Sequence, residues 1–240
     1  MMGSVVDQMG PALEFVKSQV NLESYQFQLA LFLIFASPTW WNLGGRLEHK
    51  LRIFRKIFFG NKYVACYFFS LTVFSLSAFR NYAYKLAVAE QPKADFGFDP
   101  LLVQYVSWAL YAVGMTFVVS SSIRLGITGT YCGDYFGILM KERVTGFPFS
   151  VVEDPMYLGS TLNFLAMAIE NQSIAGLLLT AVVYTVYIVY SIWLENPYTA
   201  WIYSEKARQH REREDKLDSD RKVSSPSATS PKRSNKKKAD

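Results

Sequence analysis

The stretch GITGTYCGDYFGILMKERVTGFPFSVVEDPMYLG, residues 126–159, decides how the rest of the chain is interpreted. It holds six glycines, two prolines, four acidic residues and two basic residues, and strongly apolar segments flank it on both sides. Apolar segments of such length predict a membrane protein. The density of glycine, tyrosine and charge between them favours a functional site over a loose connecting loop.

Four apolar segments are candidate membrane helices, at residues 25–42, 63–84, 101–123 and 172–194. The last three are long enough to cross a hydrocarbon core of about 30 Å, which takes about 20 residues. Pro38 interrupts the first segment, which either spans the membrane, enters it partway or lies in its interface. Trp40 and Trp41 near its end are typical of an interfacial aromatic belt. Because backbone polar groups in lipid must be paired within their own segment, we predict an all-α polytopic bundle: three transmembrane helices plus one N-terminal intramembrane or spanning helix.

The net charge of +5 resides entirely in the C-terminal tail. Residues 205–240 hold 12 basic and 7 acidic side chains, whereas residues 1–204 hold 13 of each. This distribution indicates a tail that acts at a membrane surface or in sorting, and it argues against a nucleic-acid-binding fold. We predict a membrane-embedded domain over residues 1–204 and a basic, largely disordered cytoplasmic tail over residues 205–240.

A second basic region lies between the first two apolar segments. Residues 46–62 interleave six lysines and arginines with apolar residues, a pattern typical of a helix at an anionic lipid surface. Residues 1–24 show a similar amphipathic spacing, which suits either a surface helix or a loosely ordered terminus. Three predicted spans separate residues 46–62 from the basic tail, so the two regions are expected on opposite sides. Because basic loops favour the cytoplasm, either one of the two regions breaks that rule or one candidate span does not cross the membrane.

Several functional classes lack the residues they need. Only two histidines and two cysteines occur, so a histidine metal site, a Ser-His-Asp triad and a disulfide framework are not expected. Residues 1–21 lack the apolar core of a cleavable signal peptide, and the first membrane segment is expected to direct insertion. Internal hydropathy repeats typical of transporters are not evident.

Two motifs lie within residues 126–159. Of the glycines at 126, 129, 133 and 137, the last three are spaced by four, which predicts one helical face that serves either close helix packing or close approach of a ligand. Pro155 is expected to begin a helix with Asp154 as its cap. The free N–H groups of that helix start either are simply capped or bind a carboxylate.

Two further motifs lie on the neighbouring spans. Glu195 stands in the sequence LENPY at the end of the last span, where a carboxylate is either solvated or functional. Ala112, Val113 and Gly114 form a run with two small residues within a span, and small residues there usually serve packing.

Read together, these motifs resemble the phospholipid methyltransferase family, and most closely its fungal branch. The resemblance covers about residues 38–205 and rests on four segments: RLEHK at 46–50, LGITGTYCGDYFGILMKERVTGFPF at 125–149, DPMYLGSTLNF at 154–164 and ENPYTAWIYS at 195–204. It implies S-adenosyl-L-methionine as the methyl donor and a multi-pass protein of the endoplasmic reticulum membrane, with a mitochondrial membrane as a further location. It implies no metal and no nucleic acid.

The resemblance also implies cofactor-binding positions. A Gly-x-Gly of the family falls on Ala112, Val113 and Gly114, where alanine replaces the first glycine. A Glu-Glu pair falls on Glu195 and Asn196, where asparagine replaces the second acid. The related isoprenylcysteine methyltransferases carry a similar turn at residues 154–157, which is therefore expected near the cofactor.

Methyl transfer to an amine needs a neutral nucleophile aligned with a cationic donor. The carboxylates that can accept the amine proton are Asp134, Glu142 and Glu153, and the sequence does not rank them. The aromatic residues that can face the cations are Tyr131, Tyr135, Phe136 and Tyr157, each of which is otherwise a packing residue.

We therefore predict successive methylation of phosphatidyl-N-methylethanolamine to phosphatidyl-N,N-dimethylethanolamine and phosphatidylcholine. The alternatives are all three methylations starting from phosphatidylethanolamine, and a non-enzymatic membrane scaffold or lipid-binding protein. The sequence indicates no oligomeric state. Lys237 and Lys238 resemble a di-lysine retrieval signal, and the alternative is a solvated run of charge.

Overall fold

The computed structural model describes residues 18–142 and 144–224, and these residues form helices and no strands. The all-α prediction is therefore confirmed. Most of the region expected to form an N-terminal amphipathic helix, and the lysine pair at 237–238, lie outside the described residues. The helices in chain order are α1 (Tyr25–Leu51), α2 (Ile53–Ile57), α3 (Lys62–Glu90), α4 (Pro100–Thr130), a 3-10 turn (Gly133–Phe136), α5 (Pro155–Glu170), α6 (Ile174–Tyr190), a π-helical turn (Ser191–Glu195) and α7 (Asn196–Ser224).

Four of the long helices have a polar N-cap residue whose side chain accepts a hydrogen bond from a free N–H group of the first turn. Ser24 caps α1, Asn61 caps α3, Asp99 caps α4 ahead of Pro100, and Ser173 caps α6. The start of α5 at Pro155 is as predicted, but Asp154 makes no capping bond with its side chain. Its carboxylate instead binds Ser191 at the far end of α6, so this part of the prediction was wrong.

Three helical stretches among the described residues are long and apolar enough to cross a membrane: Lys62–Glu90, Pro100–Phe136 and Ile174–Leu217. They contain almost all of the three spans expected from the sequence, and that prediction is confirmed. Helix α1 is 27 residues long and contains Pro38. Its depth in a bilayer stays a prediction.

Helices α5 and α6 form an antiparallel hairpin that the sequence interpretation did not contain. Asn171, Gln172 and Ser173 connect them, and the Ser191 hydroxyl at the end of α6 donates to the Asp154 carboxylate at the start of α5, at 2.6 Å. The hairpin adds one traverse of the bundle between the basic region at 46–62 and the tail.

The two ends of the bundle are defined by contacts. At one end, Asn21 before α1 binds Gln91 after α3, and Gln172 binds Ala94. At the other end, α1 binds the π-helical turn directly, because Arg46 donates to the carbonyl of Leu194. Residues 46–62 and the start of α7 therefore lie at the same end, so the expectation of opposite sides was wrong. The expectation failed because the sequence analysis counted no separate traverse for α5, which begins inside the polar block at 126–159.

The glycine ladder does not lie on a helical face. Helix α4 is kinked at Gly126 (φ +63°) and ends at Thr130, and Gly137 also has a positive φ of +70°. Left-handed backbone of this kind favours glycine because other residues place a Cβ atom against the chain. The glycines therefore turn the chain through a compact loop, and the predicted shared face was wrong.

The bundle core lies where α3 meets the hairpin. Tyr84 is fully buried, and its hydroxyl lies within 3.2 Å of the Phe164 and Gly176 carbonyl oxygens and the Thr180 hydroxyl. A buried hydroxyl without a partner is unfavourable, so this arrangement fixes the register of three helices.

The chain divides into two compact units, Met1–Thr199 and Ala200–Asp240. In the second unit the structure describes the continuation of α7 through Ser224, and a tail that is helical at first and then largely disordered stays a prediction. Arg208 forms ion pairs with Glu205 and Glu212 along this exposed helix, which supports helical structure in a polar sequence. Residues 225–240 lie outside the described residues.

Candidate functional site

Three side chains converge on the carboxylate of Glu195, the last residue of the π-helical turn. Trp41 Nε1 and Asn42 Nδ2 of α1 donate to Oε1 at 2.7 and 2.8 Å. The Tyr157 hydroxyl of α5 donates to Oε2 at 2.6 Å. A carboxylate that accepts three bonds from two separate helices has a fixed position and orientation.

The π-helical turn that carries Glu195 is itself tied down. The hydroxyl of Ser191 donates to Asp154, and the Asn196 amide donates to the same hydroxyl at 3.1 Å. Single π-helical turns inside α-helices occur frequently at functional sites, since the extra residue re-aims the side chains that follow. Here the turn places Glu195 toward α1 and α5.

The end of α1 reaches the site through a second group of contacts, around Tyr198. The Arg46 guanidinium lies 4.7 Å from the Tyr198 ring centre, and Tyr135 stacks on this ring at 5.2 Å. His49 Nδ1 lies 3.1 Å from the Tyr198 hydroxyl. Gly45 allows this approach, since a Cβ atom there would lie 3.1 Å from the Tyr135 ring.

His49 is the titratable group of this cluster that lies outside the candidate spans. Partial burial lowers its pKa below the usual value of 6.5, and the positive charges of Arg55 and Lys50 act in the same direction. The neutral imidazole is therefore favoured in the folded protein.

The charge on Glu195 has no basic partner among residues 18–142 and 144–224. The nearest arginine of the cluster, Arg46, donates to a backbone carbonyl instead. Two polar atoms of α1 are buried and have no hydrogen-bond partner within the described part of the chain: Asn42 Oδ1, on the amide that binds the carboxylate, and Arg46 Nε, one helical turn further along. Buried polar groups are normally paired, so this arrangement is suited to a polar, positively charged ligand.

The structure places the other predicted cofactor residues differently. Ala112 and Val113 are exposed on α4, and Gly114 is buried against α5. A Cβ atom added at Gly114 would lie 2.6 Å from the Gly159 carbonyl oxygen, and one added at Gly159 would lie 2.6 Å from the Gly114 carbonyl oxygen. The first turns of α5 thus carry both Tyr157, which holds Glu195, and Gly159, which packs on Gly114.

Asn196, the fifth predicted residue, is exposed and adjoins Glu195. Of the three candidate bases, Glu142 and Glu153 are exposed, whereas the Asp134 carboxylate accepts from the Thr199 hydroxyl at 3.0 Å. Among the four predicted aromatic residues, Tyr157 contacts Glu195, Tyr135 stacks on Tyr198, Phe136 is fully buried and Tyr131 is partly buried.

Sequence reasoning missed the residues of α1. Trp41 was interpreted as part of an interfacial aromatic belt and Arg46 as part of a lipid-facing stripe, but both face the Glu195 end of α6. The available signal was Asn42, a polar residue at the end of an apolar segment, and the structure shows it to be only 4% exposed. A buried amide of this kind indicates a specific partner.

Comparisons with known proteins show which family the chain is similar to. A family model described as phospholipid methyltransferase matches residues 103–206. A phosphatidyl-N-methylethanolamine N-methyltransferase of Neurospora crassa is 48% identical over 177 residues, 72% of this chain and 80% of that protein. Its namesake in Saccharomyces cerevisiae is 43% identical over 192 residues, 78% of this chain and 89% of that protein.

A human protein named phosphatidylethanolamine N-methyltransferase is 42% identical over 181 residues, which cover 75% of this chain and 89% of that protein. No solved structure matches the chain.

Proposed function

The chain belongs to the phospholipid methyltransferase family and is a phospholipid N-methyltransferase, and we propose that it converts phosphatidyl-N-methylethanolamine to phosphatidyl-N,N-dimethylethanolamine and then to phosphatidylcholine. The observation that carries this proposal is the fixed Glu195 carboxylate, which has no basic partner in the part of the chain that the structure describes. Both the methyl donor and the lipid amine are cations before reaction, and such a carboxylate attracts either one.

The family implies a methyl donor, and we propose that S-adenosyl-L-methionine fills this role. When bound, it supplies an electrophilic methyl group on a positively charged sulfur. A carboxylate offers about four acceptor positions, and the protein uses three of those on Glu195. The remaining position, together with the unpaired Asn42 Oδ1 and Arg46 Nε, suits a ligand that has both donors and acceptors.

Glu195 and Asn196 are proposed to hold the cofactor, with Glu195 supplying the charge. The proposed role of Trp41, Asn42 and Tyr157 is to orient the carboxylate, so that it is already in place before the ligand arrives. No catalytic base is assigned. The proposal that Ala112, Val113 and Gly114 line the cofactor pocket stays a prediction, since Ala112 and Val113 are exposed and Gly114 packs against α5.

The alternative of a non-enzymatic scaffold accounts for the close packing of α4 on α5. It does not account for a partly buried carboxylate that accepts three hydrogen bonds and has no basic partner among the described residues, because fixing an unneutralised charge in this way brings no packing benefit. The scaffold is therefore the weaker candidate.

A microsomal assay with labelled S-adenosyl-L-methionine tests the proposal. Phosphatidylethanolamine and its mono- and dimethyl derivatives are offered separately, because relatives named for either the first or the second substrate match at similar identity. We expect label in phosphatidylcholine from both methylated lipids. Absence of transfer to all three lipids would contradict the proposed function.

We further propose that the protein resides in the endoplasmic reticulum membrane. The support is the family resemblance together with three helices that can cross a membrane. Imaging of a tagged protein against reticular and mitochondrial markers checks this, and a mitochondrial pattern would contradict it.

A further inference from the structure

An apolar groove lies between α1 and α6 on the outer face of the bundle. Its volume is about 410 Å³, and it is lined by Phe35 of α1 and by one face of α6 from Leu178 to Tyr190. Phe35, Leu178 and Val189 are each about half exposed, at 46%, 45% and 44%. In a helix that can cross the membrane, such a surface faces hydrocarbon.

The groove presents no polar group that needs a partner. Its two hydroxyls are already bonded: Thr185 donates to the Ala181 carbonyl at 2.9 Å, and the Tyr190 hydroxyl lies 2.7 Å from the Thr39 hydroxyl. Ordered water requires two to four polar partners, which this surface does not offer. An apolar chain is therefore the occupant that fits.

The dimensions of the groove agree with one lipid chain. Tyr190 lies twelve residues after Leu178 on α6. At a helical rise of about 1.5 Å per residue, the distance between them along the helix axis is about 18 Å. Half of a hydrocarbon core is about 15 Å thick. The groove thus extends from the Glu195 end of α6 over the depth of one leaflet.

The upper end of the groove adjoins the candidate site. Tyr190 directly precedes the π-helical turn that ends at Glu195, and Thr39 lies two residues before Trp41, which donates to that carboxylate. A lipid whose chain lies in the groove has its headgroup at the level of Glu195. We propose that this groove holds an acyl chain of the phospholipid substrate and thereby delivers its amine to the site; the inference rests on the proposed function.

The groove acts through orientation. Bilayer lipid is as apolar as the groove lining, so moving a chain from one to the other yields little hydrophobic free energy. Holding the chain along α6 restricts where the headgroup lies, and misplacement of a reacting group by about 1 Å can lower a rate by roughly a hundredfold. The groove should therefore affect the rate of methylation of lipids whose acyl chains are long enough to fill it, and not the rate for short-chain lipids.

Ala181→Trp tests this inference by filling the groove about 13 Å below Tyr190. Ile188→Trp is the matched control, because Ile188 is a half-exposed residue of α6 outside the groove lining. Initial rates are measured in detergent with dioleoyl and with dihexanoyl phosphatidyl-N-methylethanolamine. For Ala181→Trp we expect kcat/KM to fall by about tenfold or more on the dioleoyl lipid and by less than about twofold on the dihexanoyl lipid.

Ile188→Trp should keep both rates within about twofold of the original chain. Equal effects of the two variants on the dioleoyl lipid would overturn the inference, because the surface would then be ordinary lipid-facing protein. If Ala181→Trp is inactive on both lipids, Ala181→Leu replaces it, and the same chain-length difference decides. A lack of activity of the unaltered chain on both lipids would instead contradict the proposed function.

Discussion

At Glu195, three side chains from two helices meet on one carboxylate, whereas at Gly114 two helices meet through bare backbone. The first arrangement places a charge where no side chain of the described residues neutralises it. The second removes side chains so that α4 and α5 approach closely and gain dispersion contacts. Both lie against the start of α5, yet they are built for different purposes.

The difference shows how to separate a site from a packing contact. At Gly114 the helices meet through uncharged groups, although this contact also contains a buried polar atom without a hydrogen-bond partner among the described residues, Asn163 Oδ1. The Glu195 cluster differs because three donors fix a carboxylate that has no basic partner among these residues. A fixed, unneutralised carboxylate is therefore a stronger indication of a binding site than an unpaired neutral atom.

Glu195→Gln should have the largest effect. The neutral amide removes the charge and presents an N–H group to one of the present donors. Loss of about 3 kcal/mol, the upper range for a hydrogen bond to a charged group, corresponds to a roughly hundredfold fall in kcat/KM. Methyl transfer in microsomes measures it. Glu170→Gln, at the exposed opposite end of α5, is the control and should retain activity.

Gly114→Leu should act mainly on stability. The side chain would overlap the Gly159 backbone, and overpacking typically costs about 1–3 kcal/mol. The melting temperature in detergent should fall clearly, while Ala112→Leu at the exposed neighbouring position should leave it almost unchanged. The KM for S-adenosyl-L-methionine, measured on the folded fraction, then tests whether residues 112–114 line the cofactor pocket. An unchanged KM in both variants would show that these residues serve helix packing only.

Tyr157→Phe should have a smaller effect than loss of the carboxylate. It removes one of three donors to Glu195, at about 1.5 kcal/mol, and should lower kcat/KM roughly tenfold. Tyr187→Phe is the matched control, because Tyr187 stacks on Tyr157 at 4.5 Å and its ring is retained. Comparable losses in both variants would assign the effect to the aromatic stack and not to the hydrogen bond.

The smallest expected effect concerns His49. Its pKa is lowered in the folded protein, so the unfolded chain binds the proton more readily as the pH falls through 6.5. The contribution of neutral His49 to the free energy of unfolding is therefore fully present above pH 6.5, and it is lost as the pH falls toward the lowered pKa. Melting temperatures between pH 7.5 and pH 5 should fall less steeply for His49→Gln; equal slopes would show that other groups dominate the dependence.

The helices were predictable because apolar runs in lipid leave few alternatives. The spans at 63–84, 101–123 and 172–194 follow from composition alone. Helix α5 was not predicted as a membrane traverse, because it begins inside a polar block and its 16 residues are fewer than a membrane span requires. Missing one helix reversed the expected side of residues 46–62, since each traverse changes the side of everything after it.

The site was predictable only in part. Glu195 and Tyr157 stand in recognisable motifs, but no local pattern shows that Trp41 and Asn42 lie beside them, more than a hundred residues away in sequence. Trp41 and Arg46 fit two common surface patterns equally well, an aromatic belt and a basic stripe. Their partners on α5 and α6 decide their role, and those partners are set by the packing of the whole bundle.

Direct binding of S-adenosyl-L-methionine to the purified protein tests the central claim, that the Glu195 carboxylate holds the cofactor. Titration calorimetry in detergent compares the unaltered chain with Glu195→Gln and Glu170→Gln, and intact melting curves show that each variant is folded. We predict that the dissociation constant rises roughly tenfold or more for Glu195→Gln, as expected for the loss of a charged hydrogen bond, and stays unchanged for Glu170→Gln. An unchanged dissociation constant in folded Glu195→Gln would contradict the account.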